Sequence, residues 1–260
     1  MVTRHKHGND GLANSAGLTL VELMVVIAMT ALLSAIMLPA LSTAKEKTRR
    51  TVCKSNIRQL LWVMDMYVDQ NDNQLLPSSA DNKGYYHSIV MSDATFTNLV
   101  GLADGNSNIF YCPNIAFGAN PSVQQHNPQF GFVIGYSYLA GSVAASTKGP
   151  DVSVQQVKFP STATNELLAD ANYWTTSSSA SSDIGYFPAS MKVAPHTAMG
   201  SALDQYSSSF TVGLPGNGSA SVGAMGGNIG FSDWSVQWRT LPQLQTNGAS
   251  SPNNGSLGLW

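Results

Sequence analysis

Charge is scarce in this chain of 260 residues: only 11% of them are Asp, Glu, Lys or Arg, and the net charge is -2. Binding to a nucleic-acid backbone needs an excess of basic side chains, so the composition argues against a nucleic-acid partner. The chain has only two cysteines, which excludes a disulfide-rich miniature scaffold and any four-cysteine zinc site. Hydrophobic residues nevertheless make up 43% of the chain, enough to bury a core in one or two domains.

Catalytic sequence patterns are also missing. There is no Gly-x-Ser-x-Gly elbow and no Gly-Lys-Ser phosphate loop, so we expect no enzyme, and any ATPase activity needed for assembly must come from a partner. His87, His126 and His196 are scattered without the spacing of metal ligands. We therefore predict that each is a surface or loop histidine.

A long apolar run stands near the N-terminus. The first 17 residues are polar, and 21 nearly all apolar residues follow from Leu18 to Leu38. A helix of that length spans about 32 Å, which matches the hydrocarbon core of a bilayer. Residues 1–58 are net basic and residues 59–260 net acidic, a division typical of a chain with one end at a membrane.

Glu22 is the one carboxylate inside this run, and it stands five residues after Gly17. A charge in a bilayer costs about 2–4 kcal/mol, although a glutamate one turn from the helix start can reach the headgroup level. The segment from Gly17 to Glu22 resembles the prepilin cleavage and methylation motif of type IV pilins and type II secretion pseudopilins. Phe or Met is usual in that family where Leu18 stands. Pro39 is also similar to the family, whose helices often bend at this position.

The resemblance implies how such a chain is processed and where it resides. A prepilin peptidase would cut between Gly17 and Leu18 and methylate the new amine. Glu22 would then pair with the amine of a neighbouring subunit during assembly, with an inner-membrane platform and its ATPase as further partners. The family implies a single-pass protein of the inner membrane whose head is extracytoplasmic, in the periplasm or at the cell surface.

The apolar pattern continues beyond the membrane segment. Leu60, Val63, Met64 and Tyr67 recur at helical spacing, and breakers at 71–73 predict a helix end near Gln70. We therefore divide the chain into a leader (1–17), a transmembrane half-helix (18–38), a helical spine (39–72) and a β-rich head (73–260). The predicted fold is α+β and pilin-like: one long N-terminal helix packed on a small antiparallel sheet with long loops.

Within the head, short alternating patterns predict individual elements. We expect a short helix within 85–102, strands at 131–138, 152–158 and 165–170, and a terminal hairpin of 228–233 and 235–240. The hairpin resembles that of a pseudopilin-like subgroup in which Asp-Gly follows the first strand. In this chain Trp234 replaces that Gly, and Gly223 stands where the subgroup often has a His.

The same subgroup also carries cysteines at the positions of Cys53 and Cys112. The resemblance therefore favours a disulfide between them, and two separate buried thiols are the alternative. Major pseudopilins often bind calcium in C-terminal loops, which makes Asp170 and Asp233 candidate calcium ligands. Their spacing matches no calcium loop, so turn-forming or solvated carboxylates are the alternative, and no other cofactor is expected.

The function predicted from these features is that of a pseudopilin-like structural subunit in a type II secretion-type or type IV pilus-like fibre. Two alternatives stay open. One is a type IV pilin for adhesion or motility, and the other is a membrane-anchored extracytoplasmic binding domain. For the binding domain, Tyr173, Trp174, Trp234 and Trp238 are candidate carbohydrate contacts, although such aromatics more often pack in a core.

Overall fold

The structure of the chain is a computed structural model. It describes residues 19–76, 88–115, 125–127, 131–140, 166–175, 192–198, 200–204, 223–248 and 256–259. The chain divides into two compact units, Met1–Leu41 and Ser42–Trp260. The predicted strand at 152–158 lies outside the described residues.

One helix, α1 (Leu20–Gln70), dominates the first part of the chain. It ends where the sequence predicts, because Asp72 and Asn73 adopt left-handed backbone conformations with φ of 51° and 59°. The backbone N–H of Asn73 then donates to the carbonyl of Val68 at 3.1 Å and closes the helix end. Short polar residues tolerate this conformation, which explains why the breakers stop the helix here.

The N-terminal part of α1 is apolar and uncovered. Every residue from Leu20 to Leu41 is exposed, including Ile36 at 75% and Leu32 at 69%. Within the described residues, α1 is the one helix whose length and hydropathy suffice to cross a membrane. The described residues therefore contain one candidate membrane anchor, and it lies near the N-terminus.

The C-terminal part of α1 packs on the head. The apolar residues that recur at helical spacing face the core, as predicted, and Tyr67 packs against its edge. Gly230 shows how close this packing is, because a Cβ atom there would lie 2.8 Å from Cγ2 of Ile57 and 3.0 Å from Cδ1 of Leu61. The buried residues of the helix are Glu46, Cys53, Ile57, Leu60, Leu61, Val63, Met64 and Val68.

The described part of the head contains one further α-helix, two short 3-10 helices and twelve strands. The helix, α2, begins after the N-cap Ser92, whose side chain accepts from the backbone N–H of Thr95. The helices are α2 (Asp93–Leu102) and the 3-10 turns Ser107–Phe110 and Leu241–Gln243. The strands are β1 (Val90–Met91), β2 (Gln125–Asn127), β3 (Gly131–Val133), β4 (Tyr136–Tyr138), β5 (Glu166–Asp170), β6 (Tyr173–Thr175), β7 (Lys192–Thr197), β8 (Gly200–Asp204), β9 (Gly226–Phe231), β10 (Val236–Thr240), β11 (Thr246–Gly248) and β12 (Ser256–Leu259).

These strands form three antiparallel sheets in the described residues. Their orders are β1-β3-β2, β10-β9-β5-β4 and β11-β12-β6-β7-β8. Strand β9 lies inside the second sheet and brings Gly230 against α1. The head is thus α+β, with a long helix packed on antiparallel sheet, as predicted.

The single strand predicted at 131–138 is wrong. Two strands, β3 and β4, replace it and belong to different sheets. Gly135 lies between them, and its N–H donates to the carbonyl of Phe110 at 2.8 Å. A Cβ at this glycine would collide with the backbone N of Cys112, so the close approach requires glycine and diverts the chain from one sheet to the next.

The predicted terminal hairpin is confirmed as β9 and β10. Val236 pairs with Gly230, and Thr240 pairs with Gly226 at the other end. Trp234 in the turn has a φ of 62°, a left-handed conformation that a glycine would adopt without strain. The turn therefore keeps its shape although a bulky residue occupies this position.

Candidate functional site

The start of α1 carries the predicted processing and assembly residues, of which Gly17 and Leu18 lie outside the described range. Thr19 and Glu22 form a reciprocal cap. The backbone N–H and the hydroxyl of Thr19 donate to Oε2 of Glu22 at 2.9 and 2.8 Å, and the N–H of Glu22 donates to the Thr19 hydroxyl at 3.2 Å. This is a capping box, and it fixes the carboxylate on the first turn.

Further along the apolar segment, the hydroxyl groups of Thr30 and Ser34 form hydrogen bonds with backbone carbonyls of the same helix. Thr30 donates to the carbonyl of Val26 at 3.0 Å, and Ser34 donates to the carbonyl of Thr30 at 2.8 Å. Pro39 lies inside the helix and lacks the N–H that would otherwise bond to the carbonyl of Ala35. Glu22 is therefore the one acidic side chain between Thr19 and Leu41, and this surface is otherwise apolar or self-satisfied.

A second group of chemically active side chains lies inside the head. Cys53, Cys112, Asp170 and His196 each offer one potential ligand atom, and these atoms all lie within 4.8 Å of one another. We call these four residues the buried cluster. All are buried, with exposed fractions of 0%, 2%, 1% and 0%. Among the described residues, this is the one group of three or more Cys, His, Asp or Glu side chains that could hold a metal ion.

Each member of the buried cluster comes from a different element. Cys53 is on the packed part of α1, and Cys112 follows the 3-10 turn at 107–110. Asp170 ends β5, and His196 lies in β7, so two sheets contribute. The cluster therefore forms only when the helix and both sheets are in place.

Glu46 contacts one ring nitrogen of His196 and holds the ring in place. Its Oε1 lies 2.8 Å from Nδ1 of His196, and its Oε2 accepts from Nδ2 of Asn114 at 2.8 Å. Arg50 donates to the same carboxylate at 3.0 Å, which compensates the buried charge. Nδ1 of His196 therefore lies between Oε1 of Glu46 and Nδ2 of Asn114, which is 3.1 Å away.

The other ring nitrogen of His196 faces Asp170. Nε2 lies 3.3 Å from Oδ2 of Asp170, but the contact lacks hydrogen-bond alignment, and this buried nitrogen has no hydrogen-bond partner. Asn228 fixes the position of the Asp170 carboxylate. Oδ2 of Asp170 accepts from the backbone N–H and from the side-chain amide of Asn228 at 2.6 and 2.9 Å. Its Oδ1 is also buried without a partner.

The charges of the cluster shift the protonation of its members. Burial acts to lower the pKa of His196, but the Asp170 carboxylate and Cys112 together outweigh it and raise the pKa to about 10. Burial also acts to raise the pKa of Cys112, but its contacts with Cys53 and His196 prevail and lower it. The neighbouring Cys112 sulfur and burial raise the pKa of Cys53. A thiolate is therefore favoured on Cys112 rather than on Cys53.

The structure brings the two cysteines together as free, buried thiols, and the disulfide that the resemblance favours stays a prediction. The two candidate calcium ligands lie in different environments, since Asp170 is buried and Asp233 is exposed. Asp170 belongs to the buried cluster, whose thiols do not suit a hard cation. Asp233 is exposed in the β9–β10 turn, where its Oδ1 accepts from the N–H of Ser235 at 2.9 Å. That bond indicates a turn-forming role.

The prediction for the histidines is wrong at His196, which is fully buried in a strand. His126 is partly exposed in β2 beside Asp93, and His87 lies outside the described residues. The predicted carbohydrate contacts include two residues with packing roles. Tyr173 is 2% exposed in the core, and the Trp238 ring packs under the Arg50 guanidinium and against the His196 ring.

Comparison with known proteins adds no assignment: no protein-family model matches this sequence, and no curated protein or solved structure is significantly similar to it.

Proposed function

We propose that this chain is a structural subunit of a type II secretion-type or type IV pilus-like fibre. In this proposal it is cleaved after Gly17, methylated at Leu18 and assembled through its N-terminal helix. One observation carries the proposal: the surface of α1 from Leu20 to Leu41 is exposed and apolar, with a single carboxylate, Glu22, fixed on the first turn.

The physical reason for assembly lies in that surface. In lipid it is covered by acyl chains, and in a fibre it would be covered by the same helices of other subunits. A carboxylate in such a core is stabilised only when an opposite charge compensates it. The amine created by cleavage before Leu18 supplies that charge in a neighbouring subunit, and the pair would also set the axial register.

The partners follow from this route. A prepilin peptidase would process the chain in the inner membrane, and a platform with its ATPase would extract it into the fibre. The head would then lie on the extracytoplasmic side. None of these steps requires an active site in this chain.

The first test is the N-terminus of the full chain purified from membranes, measured by mass spectrometry. We expect a chain that starts at Leu18 and carries a methylated amine. An intact Met1 would mean that the cleavage motif is unused and would leave only an anchored domain. A start beyond Leu38 would indicate ordinary secretion and overturn the proposal.

The second test separates insertion from assembly. Glu22→Ala should leave the amount of membrane-bound subunit unchanged and abolish its recovery in sheared fibres, because the amine loses its counter-charge. Thr30→Ala is the matched control, since it removes a polar group from the same segment that only bonds its own helix. Normal fibre recovery with Glu22→Ala would contradict the pairing. Long surface filaments lost on deletion would assign the fibre to pilus rather than secretion function.

A further inference from the structure

We propose that the buried cluster of Cys53, Cys112, Asp170 and His196 is a structural zinc site in the head. The site is independent of N-terminal processing, because all four residues belong to the unit Ser42–Trp260. It would join α1 to two sheets through a single ion. The donor set, the spacing of the ligand atoms, the outer hydrogen bonds and the burial each support this.

The donor set fits zinc better than a hard cation. Two sulfur atoms, one imidazole nitrogen and one carboxylate oxygen are the ligand types that Zn²⁺ takes, usually four together in tetrahedral geometry. Calcium and magnesium take oxygen ligands and do not select thiolates. Four protein ligands leave no open position, and this is typical of structural rather than catalytic zinc.

The spacing of the ligand atoms is close to that of a tetrahedral site. Zinc–nitrogen and zinc–oxygen bonds of about 2.1 Å at the tetrahedral angle place the two ligands about 3.4 Å apart. The observed distance from Nε2 of His196 to Oδ2 of Asp170 is 3.3 Å. All the ligand atoms lie within 4.8 Å of one another, and two zinc-bound sulfur atoms lie about 3.8 Å apart, so the sulfur atoms would have to approach by at most about 1 Å.

The hydrogen bonds around the cluster orient the ligands as in known zinc sites. A zinc-bound histidine usually donates its second ring N–H to a carboxylate, and His196 directs Nδ1 to Glu46 at 2.8 Å. Nε2 faces the cluster and would offer its lone pair to the ion once its proton has left. Asp170 is likewise held by Asn228, with its Oδ1 unpartnered.

The two unpartnered buried atoms are the strongest sign of a ligand. Buried polar groups without partners cost free energy, and native proteins contain few of them. Nε2 of His196 and Oδ1 of Asp170 both belong to the cluster and both lack a hydrogen-bond partner. A cation bound between Nε2 and Oδ2 would give Nε2 of His196 a partner, and Oδ1 of Asp170 would gain one where the carboxylate binds through both oxygens. On binding, the protons of the thiols and of Nε2 pass to solvent, and no redox step is required.

One competing state is the metal-free, protonated cluster (the proton-filled network), in which the His196 imidazolium lies between Glu46 and Asp170 beside two thiols. A third state is the Cys53–Cys112 disulfide. Both states use the same residues, and neither contains metal. Metal content and thiol state together therefore distinguish all three.

The experiment is elemental analysis of the full chain, purified in detergent without chelators, combined with intact-mass measurement under non-reducing conditions. We expect one zinc ion per chain and both thiols reduced once the metal is removed. Metal-free protein with both thiols free would assign the cluster to the proton-filled network and overturn the proposal. Metal-free protein whose mass lacks both thiol hydrogens would assign the disulfide and overturn it equally.

Variants then locate the ion. Cys112→Ser and His196→Ala should lose the zinc, whereas His126→Ala and Asp233→Asn, which change a histidine and an aspartate outside the cluster, should keep it. Zinc retained in both cluster variants would contradict the assignment. Since such variants can fail to fold, metal-stripped wild-type chain should also be titrated with Co²⁺. Visible absorption bands from tetrahedral thiolate coordination are expected, and their absence would contradict the proposal.

Glu46 is a positioning residue in this site. Glu46→Gln should weaken zinc affinity by about 10–100-fold while the zinc still binds at one ion per chain. An unchanged affinity would show that the Glu46–His196 bond has only a packing role and would remove this part of the proposal.

Discussion

Thr19 and Glu22 hold each other across the first turn of α1, each side chain bonded to the backbone N–H of the other. This cap lies two residues after Gly17, so the helix begins immediately beyond the proposed cleavage point. The carboxylate that the resemblance assigns to assembly is thus already held in place by its own subunit.

The cap should control fraying of this helix end. Thr19→Val removes the hydroxyl that accepts from and donates to Glu22, so the backbone amides of Leu20 to Leu23 should exchange hydrogen faster. Hydrogen-exchange mass spectrometry of the detergent-solubilised chain measures this. Thr19→Ser is the matched control, because it keeps the hydroxyl and should exchange like wild type. Equal protection in all three chains would mean that the cap does not stabilise the turn.

Gly230 should be required for the approach of β9 to α1. Gly230→Ala places a Cβ against Cγ2 of Ile57. Ile57 is β-branched and lies in a helix, so its side chain has little freedom to move away. Overpacking of this kind costs about 1–3 kcal/mol, so the midpoint of urea unfolding should fall. Gly101→Ala is the control: nothing lies within 4 Å of its added Cβ in α2. It should raise the stability by up to about 1 kcal/mol. Equal stability of the two variants would contradict the packing.

Glu46 should contribute strongly to the stability of the head. Glu46→Ala leaves Arg50, Asn114 and His196 without their shared acceptor, and breaking a buried ion pair costs about 3–5 kcal/mol. Thermal unfolding followed by near-UV circular dichroism measures the loss. The neighbouring exposed residue provides the control, since Lys47→Ala should change stability by less than about 0.5 kcal/mol. A loss of similar size in both variants would mean that the buried contacts of Glu46 do not account for it.

Asp65 and Asp69 should destabilise the helical spine at neutral pH. Burial raises the pKa of Asp65, and the negative charge of Asp69 one turn later raises it further. Because the folded-state pKa is above the unfolded one, ionised Asp65 opposes folding at pH 7, and the penalty is removed as pH falls through the folded pKa. Asp69→Asn should therefore stabilise by about 0.2–0.5 kcal/mol at pH 7, with the gain fading in acid.

Urea unfolding at several pH values tests this pH dependence. The control is Asp104→Asn, which removes a carboxylate from the exposed turn after α2 and leaves the pair of Asp65 and Asp69 intact. The gain at Asp69 should also shrink in high salt, because the repulsion is between partly solvated charges. A gain that is constant across pH would exclude the electrostatic explanation.

The sequence predicts features that depend on local chemistry. The end of α1 and the terminal hairpin follow from breakers and alternation, which act over a few residues. The split between β3 and β4 cannot be predicted from local sequence, because it depends on the backbone of Cys112 approaching Gly135 from a distant part of the chain. The capping box is predictable, because Thr19-x-x-Glu22 is a recognised helix-start pattern.

The buried cluster could not be read from spacing. Its four residues are widely separated along the chain and lie on different elements, so no short motif joins them. Glu46 gave no signal either, since it stands in a run of charged residues that reads as a solvated helix face. Only the fold shows that this glutamate is 2% exposed and bonded to His196.

The pairing of α1 with late strands determines when the head can fold. Glu46 contacts His196, which is 150 residues later in the chain. The carbonyl of Arg50 accepts from the side chain of Asn228, which is 178 residues later. Contacts between such distant residues form slowly, and a chain is made from its N-terminus. The helix surface around Ile57 and Leu61 therefore stays bare until β9 has been synthesised. A nascent chain that stops before Gly226 presents this surface to proteases and to other chains, so quality control should remove it.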